Sequence, residues 1–422
     1  MSFNTIAVIG LGYIGLPTAV VFANCGKRVL GVDINERIVN DINLGKAHIQ
    51  EPDLDMALQC AVQNKRLSAA LQVEPADVFI IAVPTPLKNN NEPDLSCIEA
   101  AIRSIAPVLA KGNLLILEST SPVGTMEQMA QLLAELRPDL RFPLMESSHA
   151  DIQMAYCPER VLPGKIMHEL VHCDRIIGGL SAQCTESAVD LYRVFVKGEC
   201  IKTDARTAEM CKLTENSFRD VNIAFANELS MLCDQFGINV WELIRLANYH
   251  PRVNILQPGA GVGGHCIAVD PWFIITQAPQ LSSLIRTARQ INDNKPQWVI
   301  EKVKAALADC VTVKNMKANE ITIACLGLAF KADIGDLRES PALFITAQLA
   351  DWHVGRLLAV EPNIQCLPPE LHGKAELVSF QQALQQADIL VLLADHREFR
   401  NYPAANILQP WIVDTRGLWK QS

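Results

Sequence analysis

A glycine spacing at the start of the chain limits the fold more than any other feature. Ile6 to Ile9 is a continuous apolar run, as expected for a strand buried on both faces. Gly10-Leu11-Gly12-Tyr13-Ile14-Gly15 follows it directly. A helix over about Leu16 to Cys25 comes next, then a second strand from Arg28 to Val32 that ends at Asp33. Strand, glycine turn, helix, strand and acid in this order predict a βαβ unit shaped for a dinucleotide. Gly10 makes the turn, Gly12 admits the pyrophosphate and Gly15 packs helix on strand. The helix N-terminus presents amides and the positive end of a dipole. Asp33 is placed to accept from a ribose 2′-hydroxyl. An acid there favours NAD over NADP, whose 2′-phosphate it would repel.

Further apolar runs end in polar turns. Val78–Val83 leads into Pro84-Thr85-Pro86, and Leu114–Leu117 into Glu118-Ser119-Thr120-Ser121-Pro122-Val123-Gly124. In a doubly wound sheet ligands sit outside the carboxyl ends of the strands. Thr85 and Thr120 would then face the cofactor, although both residue types equally suit helix N-caps. Glu159 and Arg160 lie side by side in a later loop. They suit either a plain surface pair or a water-ordering acid beside a cation for a substrate oxygen.

From about Asp204 to Phe236 the chain reads as one long helix without proline, stopped by Gly237. Lys212, Asn216 and Arg219 share one of its faces. That stripe is either a solvated edge or a catalytic face, where a partly buried lysine exchanges protons. Tyr249-His250-Pro251-Arg252 follows. His250 alone more often serves structure, and Arg252 suits a diphosphate or sugar. Then comes Gly259-Ala260-Gly261-Val262-Gly263-Gly264-His265-Cys266-Ile267-Ala268-Val269-Asp270. Glycines let a ligand approach a backbone closely. A thiol among them suits a nucleophile, provided the site favours the thiolate. Beside a nicotinamide cofactor, it points to an oxidation through a covalent thioester.

The stretch from Lys304 to Asn319 reads as a linker or helix end. Strands then recur from Glu320, over Val354–Glu361 and Asp388–Leu393, and at Trp411–Asp414, alternating with helices. This predicts a second doubly wound domain. Only Gly327 falls at its first turn, so no second dinucleotide is expected. Phe330-Lys331 suits a uracil face and a phosphate, and Arg338 adds a cation near a helix start. The fold class is therefore α/β, with two Rossmann-like doubly wound domains joined by a central helical region. The expected divisions are 1–203, 204–310 and 311–422.

Composition excludes several classes. Lys and Arg number 37 against 46 Asp and Glu, a net charge of −9, so no global basic field attracts nucleic acid or an acidic membrane. No apolar run approaches the ~18 residues of a membrane-spanning helix, and the chain opens on a strand rather than a signal peptide. The 13 cysteines include no CxxC pair, so neither a metal site nor a disulfide framework is expected. Reduced thiols and a cytoplasmic location follow.

Taken in order, GLGYIGLP, VPTP, STSPVG, CPERVLPG, AEMCKLTENSFRDVNIAFANEL, GVGGHCIAVDP, GLAFK and DLRESPA make the chain resemble the UDP-glucose/GDP-mannose dehydrogenase family along essentially its full length. The resemblance is to the branch acting on UDP-N-acetylhexosamines. Pro163 stands where UDP-glucose enzymes carry a second Glu, and Ala268-Val269 where they carry Pro-Lys. It implies NAD as cofactor and four-electron oxidation of the C6 hydroxyl of UDP-N-acetyl-D-mannosamine, for a cell-surface polysaccharide such as the enterobacterial common antigen. UDP-N-acetylglucosamine and UDP-glucose are the alternative substrates, and a two-electron dehydrogenase with a structural Cys266 is the alternative reaction. It implies Cys266 as nucleophile, Lys212 as proton donor and acceptor, and Asn216 and Asp270 in the same polar cluster. Glu159 is the candidate for assisting hydrolysis, and Thr120 is placed in the catalytic set. Tyr13, Ile14, Asp33, Thr85, Thr120 and Arg338 would contact NAD. Arg160, Val161, Lys212, Asn216, Arg219, His250, Arg252, Gly263, Phe330, Lys331 and Arg416 would line the UDP-sugar site. A homodimer through the long helix is also implied.

Overall fold

The computed structural model describes residues 3–49, 51–144, 150–161 and 164–419. Pro163 lies outside them. The chain divides into two compact units, residues 1–215 with 272–277, and residues 216–271 with 278–422.

The first unit is built on eight strands: β1 (Thr5–Ile9), β2 (Arg28–Val32), β3 (Leu67–Ala70), β4 (Val78–Ile81), β5 (Leu114–Leu117), β6 (Gln153–Tyr156), β7 (Arg175–Gly179) and β8 (Cys200–Asp204). Their order is β3-β2-β1-β4-β5-β6-β7-β8. The pairings are parallel except that of β6 with β7. Strands such as Val78–Ile81 and Leu114–Leu117 are buried at every residue because helices cover both faces. Alternate side chains divide between two cores. Ile6, Val8, Val78, Ile80, Leu114 and Ile116 enter one; Ala7, Ile9, Phe79, Ile81, Leu115 and Leu117 enter the other.

The second unit carries β9 (Ile323–Leu326), β10 (Leu357–Val360), β11 (Glu376–Leu377), β12 (Ile389–Leu392) and β13 (Trp411–Asp414). They form an all-parallel sheet in the order β11-β10-β9-β12-β13. Its first turn repeats that of the first unit. Gly10 has φ 91° and its N–H donates to Val32 O at 2.8 Å. Gly327 has φ 87° and donates to Val360 O at 2.8 Å. Each strand end that follows carries an acid, Asp33 or Glu361.

The central helix spans Ala205–Phe236. Gly237, at φ 67°, ends it as the sequence predicts. A second long helix spans Ser283–Lys314, so residues from Lys304 to Lys314 are helix rather than linker. Val299, Val303, Leu307 and Cys310 keep one face buried to the last turn, while Lys302, Lys304 and Asp309 fall off that face.

Candidate functional site

In the first unit the switch in strand order falls between β2 and β4, on either side of β1. This is where an open α/β sheet leaves a crevice. A Cβ on Gly10 would lie 2.6 Å from Ala82 O, and one on Gly15 would lie 1.8 Å from Gly10 O, so only glycine fits. A Cβ on Gly12 would meet nothing within 4 Å, which leaves the turn open to a phosphate. Asp33 accepts from Leu11 N at 3.0 Å and Asn35 N at 2.9 Å. A carboxylate has about four acceptor sites, so capacity remains for a ribose hydroxyl. Tyr13 is exposed and Ile14 half-buried at the same turn. The turn thus fits a dinucleotide.

The corresponding turn of the second unit is closed. Glu361 accepts from Leu328 N, Ala329 N, Asn363 N, Asn363 Nδ2 and His396 Nε2, all within 3.1 Å. Burial alone would raise its carboxyl, yet His396 and the main-chain donors hold it below the ordinary range. Five donors exhaust the acceptor sites, and none remains for a ribose.

Thr85 Oγ1 donates to Thr120 O at 2.7 Å, so the two loops beyond β4 and β5 meet at these residues. Neither threonine caps a helix: the helices that follow, Ser96–Ile105 and Thr125–Leu136, have Leu95 and Gly124 at their N-caps. Buried Glu209 of the central helix accepts from Gly124 N at 2.6 Å and Met126 N at 2.9 Å. That contact fixes the loop carrying Thr120 to the helix carrying Lys212.

Lys212 Nζ donates to the main-chain carbonyl of Glu159 at 2.7 Å. The Glu159 carboxylate points elsewhere. One oxygen accepts from Arg160 N and Val161 N at 2.7 and 3.1 Å, and the other from Arg175 Nη2 at 2.8 Å. It is buried and both of its oxygens are engaged, directed at Arg175 and its own loop. Arg175 also lies 3.9 Å from Glu118, which Tyr192 Oη and Thr18 Oγ1 hold at 2.6 and 3.2 Å. Burial pushes the Glu118 carboxyl up to about 7 against the pull of Arg175. Arg160 is exposed, beside half-buried Val161, and pairs with Glu215 at 2.8 Å.

In the second unit Cys266 is exposed on a turn that ends at the helix Asp270–Gln277. Asp270 N donates to Cys266 O at 2.8 Å, and Asn216 Nδ2 donates to the buried Asp270 carboxylate at 2.5 Å. The Cys266 main chain and two of the three polar residues expected with the thiol are thus linked. Along the stripe Lys212 and Asn216 are half-buried and Arg219 is exposed, so it is not a fully solvated edge. A Cβ on Gly263 would lie 2.3 Å from Glu339 O and 2.8 Å from Phe330 Cβ, and Gly264 lies under the Phe330 ring. Phe330 therefore forms a wall of the cysteine loop, with exposed Lys331 beside it. Arg416 pairs with Asp395 at 2.8 Å and lies over Gly259. Arg338 chelates Asp336 of its own loop at 2.8 and 2.5 Å. His265 is held below its usual range by burial and then by the Arg338 charge. His250 and Arg252 form an exposed turn in which Arg252 N donates to His250 Nδ1 at 3.3 Å.

The sequence reading missed Glu118, Arg175 and Glu209, and in the second unit Asp220, Asn227, Arg289 and Asn292. For Glu209, Asp220 and Asn227, on the central helix, the one signal is phase. Leu213, Ser217, Asp220, Ala224 and Asn227 recur every three or four residues and are all buried, so polar residues occupy the apolar face of the helix.

Comparison with known proteins matches three family models in order. Residues 4–196 match the NAD binding domain of the UDP-glucose/GDP-mannose dehydrogenase family, 206–294 its central domain and 324–421 its UDP binding domain. UDP-N-acetyl-D-mannosamine dehydrogenase of Yersinia pestis is 61% identical over 420 residues, covering all of both chains. NDP-N-acetyl-D-galactosaminuronic acid dehydrogenase of Ralstonia nicotianae is 57% identical, over 99% of this chain and 97% of its own. Among solved structures, the UDP-D-ManNAc dehydrogenase of Pyrococcus horikoshii superposes with a TM-score of 0.86. It is 41% identical and covers 99% of this chain and 96% of its own.

Proposed function

The chain belongs to the UDP-glucose/GDP-mannose dehydrogenase family, and on that basis we propose that it oxidises the C6 hydroxyl of UDP-N-acetyl-D-mannosamine to the carboxylate. The observation that carries this reading is the exposed residue Cys266, whose main-chain carbonyl accepts from Asp270 N while Asn216 holds the Asp270 side chain. Full-length relatives named for this sugar support the substrate.

When bound in the first-unit turn, NAD supplies the hydride acceptor, and two equivalents are reduced per sugar. The C6 alcohol first loses a hydride and a proton to become an aldehyde, with Lys212 as proton acceptor. Cys266 Sγ, as thiolate, then bonds to the aldehyde carbon, and the carbonyl oxygen takes a proton to give a thiohemiacetal. Loss of a second hydride and that proton leaves a thioester. Water adds to its carbon, the C–S bond breaks, and the thiolate and a carboxylate remain. Covalent capture keeps the aldehyde from escaping. Lys212 and Asn216 stabilise the oxyanions. We assign proton transfer in hydrolysis to Lys212, with the Glu159 carbonyl as its positioning group.

The UDP-sugar is taken to contact Arg160, Val161, Arg219, His250, Arg252, Gly263, Phe330, Lys331 and Arg416, and Arg338 to reach the cofactor. The product suits a cell-surface polysaccharide such as the enterobacterial common antigen. A cytoplasmic location fits thirteen cysteines with no disulfide among the described residues. Phe218, Phe225 and Leu232 lie seven residues apart on the central helix, with Phe236 beyond; all are exposed, which supports a homodimer through that face.

The Ralstonia relative keeps a second reading, the same chemistry on another N-acetylhexosamine. NADH formed per mole of limiting sugar separates the readings, with UDP-N-acetylmannosamine, UDP-N-acetylglucosamine, UDP-N-acetylgalactosamine and UDP-glucose compared. Two NADH with the first alone is the expected result. Two with another sugar alone would move the substrate and keep the mechanism, and one NADH with every active sugar would remove the role of Cys266.

A further inference from the structure

Arg289, on the second long helix, is fully buried. Its guanidinium pairs with Asp220 of the central helix and, at 2.7 Å, with Asp293 one turn along its own helix. Nη1 also donates to the main-chain carbonyl of Ile267 at 3.3 Å. Ile267 is the residue after Cys266.

From Asp220 the network continues to the other end of the cysteine loop. Asn292 Nδ2 donates to the Asp220 carboxylate at 2.8 Å and to its main-chain carbonyl at 3.0 Å. Asn227 Nδ2 donates to Asn292 Oδ1 at 2.9 Å. Asn227 Oδ1 in turn accepts from Gly259 N at 2.9 Å. Gly259 and Ile267 bracket the loop, and one continuous set of buried side chains holds both.

Apolar side chains would fill this space without the cost of burying charge. Asp220 shows that cost. Its Oδ2 has no hydrogen-bond partner among the described residues, and burial pushes its carboxyl up to about 6 against the pull of Arg289. What apolar packing cannot supply is direction: a hydrogen bond fixes where a peptide group sits. The loop needs such fixing, because Gly261 and Gly264 have φ of 144° and 80° and little intrinsic preference for one conformation.

We propose that Asn227 and Arg289 are positioning residues for Cys266, clamping the two ends of its loop so that Sγ is held for attack on the aldehyde carbon. This rests on the reading of Cys266 as nucleophile. It requires the network to serve the thiol-dependent second oxidation and not the first, which precedes any bond to sulfur. A displacement of about 1 Å in a reacting group can cost on the order of a hundredfold in rate.

The test uses the full-length enzyme with UDP-N-acetylmannosamine and NAD in single turnover, with hydroxylamine to trap released aldehyde. The variants are Asn227→Ala, which removes the Gly259 contact without touching a charge, and Arg289→Lys, which keeps the charge beside Asp220 but loses the fork that also reaches Ile267. A double variant, Asp220→Asn with Arg289→Met, removes the ion pair as a unit in case Arg289→Lys fails to fold. In folded protein the first oxidation should stay within about threefold of the parent, and the second should fall by about tenfold or more. Trapped aldehyde should accumulate, and the rate of Cys266 alkylation by iodoacetamide should change. A second oxidation at the parental rate, or an equal fall in both steps, would overturn the proposal, the latter because a merely structural role moves both together. Cys266→Ser runs alongside. Four-electron turnover by that variant would remove the nucleophile and this proposal with it, whereas a network that fails alone leaves the Cys266→Ser defect intact.

Discussion

Lys212 Nζ donates to the main-chain carbonyl of Glu159 at 2.7 Å, while the Glu159 carboxylate turns away into a buried pair with Arg175. A side chain that anchors its own peptide thereby sets where the Lys212 ammonium, the proposed proton-transfer group, is held. Glu159→Gln retains the carbonyl and most of the carboxylate contacts. Its kcat should fall by less than about tenfold, whereas Lys212→Ala should lose about a hundredfold or more, the usual scale of general acid–base catalysis. Steady-state kinetics of the two variants decides between a carbonyl and a carboxylate role.

Arg175 lies between Glu118 and Glu159 with its side chain 4% exposed. Arg175→Met strands two buried carboxylates. The expected loss is about 3–5 kcal/mol, the scale for breaking a buried pair by removing one partner. Urea denaturation measures it, and a loss below about 1 kcal/mol would show that the network is not holding the loop of Glu159.

Glu118 supplies a pH dependence of fixed sign. Its carboxyl is raised by burial from an ordinary 4.5 to about 7 in the folded protein. The unfolded chain therefore releases this proton at lower pH than the folded one. The stabilising contribution is full below about 4.5 and is lost as pH rises through about 7. Glu118→Gln should flatten that part of the stability profile, read as Tm against pH from 5 to 8. An unchanged slope would assign it to another group.

Much of the fold can be read from the sequence, for particular reasons. Strands such as Val78–Ile81 and Trp411–Asp414 announce themselves as short apolar runs, and Gly237 marks the end of the central helix. The last turns of Ser283–Lys314 were obscured because Lys302, Lys304 and Asp309 raise the polarity, although Val303, Leu307 and Cys310 keep the helical period. In the site, Cys266, Lys212 and Asp33 stand out by local context. Asp220 and Arg289 do not. They are 69 residues apart, and each alone looks like a surface charge until the fold pairs them in the interior. The pairing of the Glu159 carboxylate is hidden for the same reason, since Arg175 is remote in sequence.

Gly263 tests how tightly the cysteine loop is packed. Its φ is ordinary, so alanine adds no backbone strain, but the new Cβ would lie 2.3 Å from Glu339 O. Gly263→Ala should displace the loop and lower kcat by about tenfold or more, with thermal stability falling less steeply. Parental kinetics would mean that the Glu339 peptide yields without moving the thiol.

The exposed face of the central helix carries Phe218 and Phe225 one heptad apart. Replacing both with Glu should lower the sedimenting mass from dimer to monomer. A parental enzyme that already sediments as a monomer would remove the homodimer reading.

The most direct measurement is the NADH yield of Cys266→Ser on limiting UDP-N-acetylmannosamine, beside the parent enzyme. The expected result is two NADH per sugar for the parent. The variant should give no more than one, with a trappable aldehyde and no uronate. Two NADH and a uronate from Cys266→Ser would contradict the thioester route and leave the cysteine loop without its assigned chemistry.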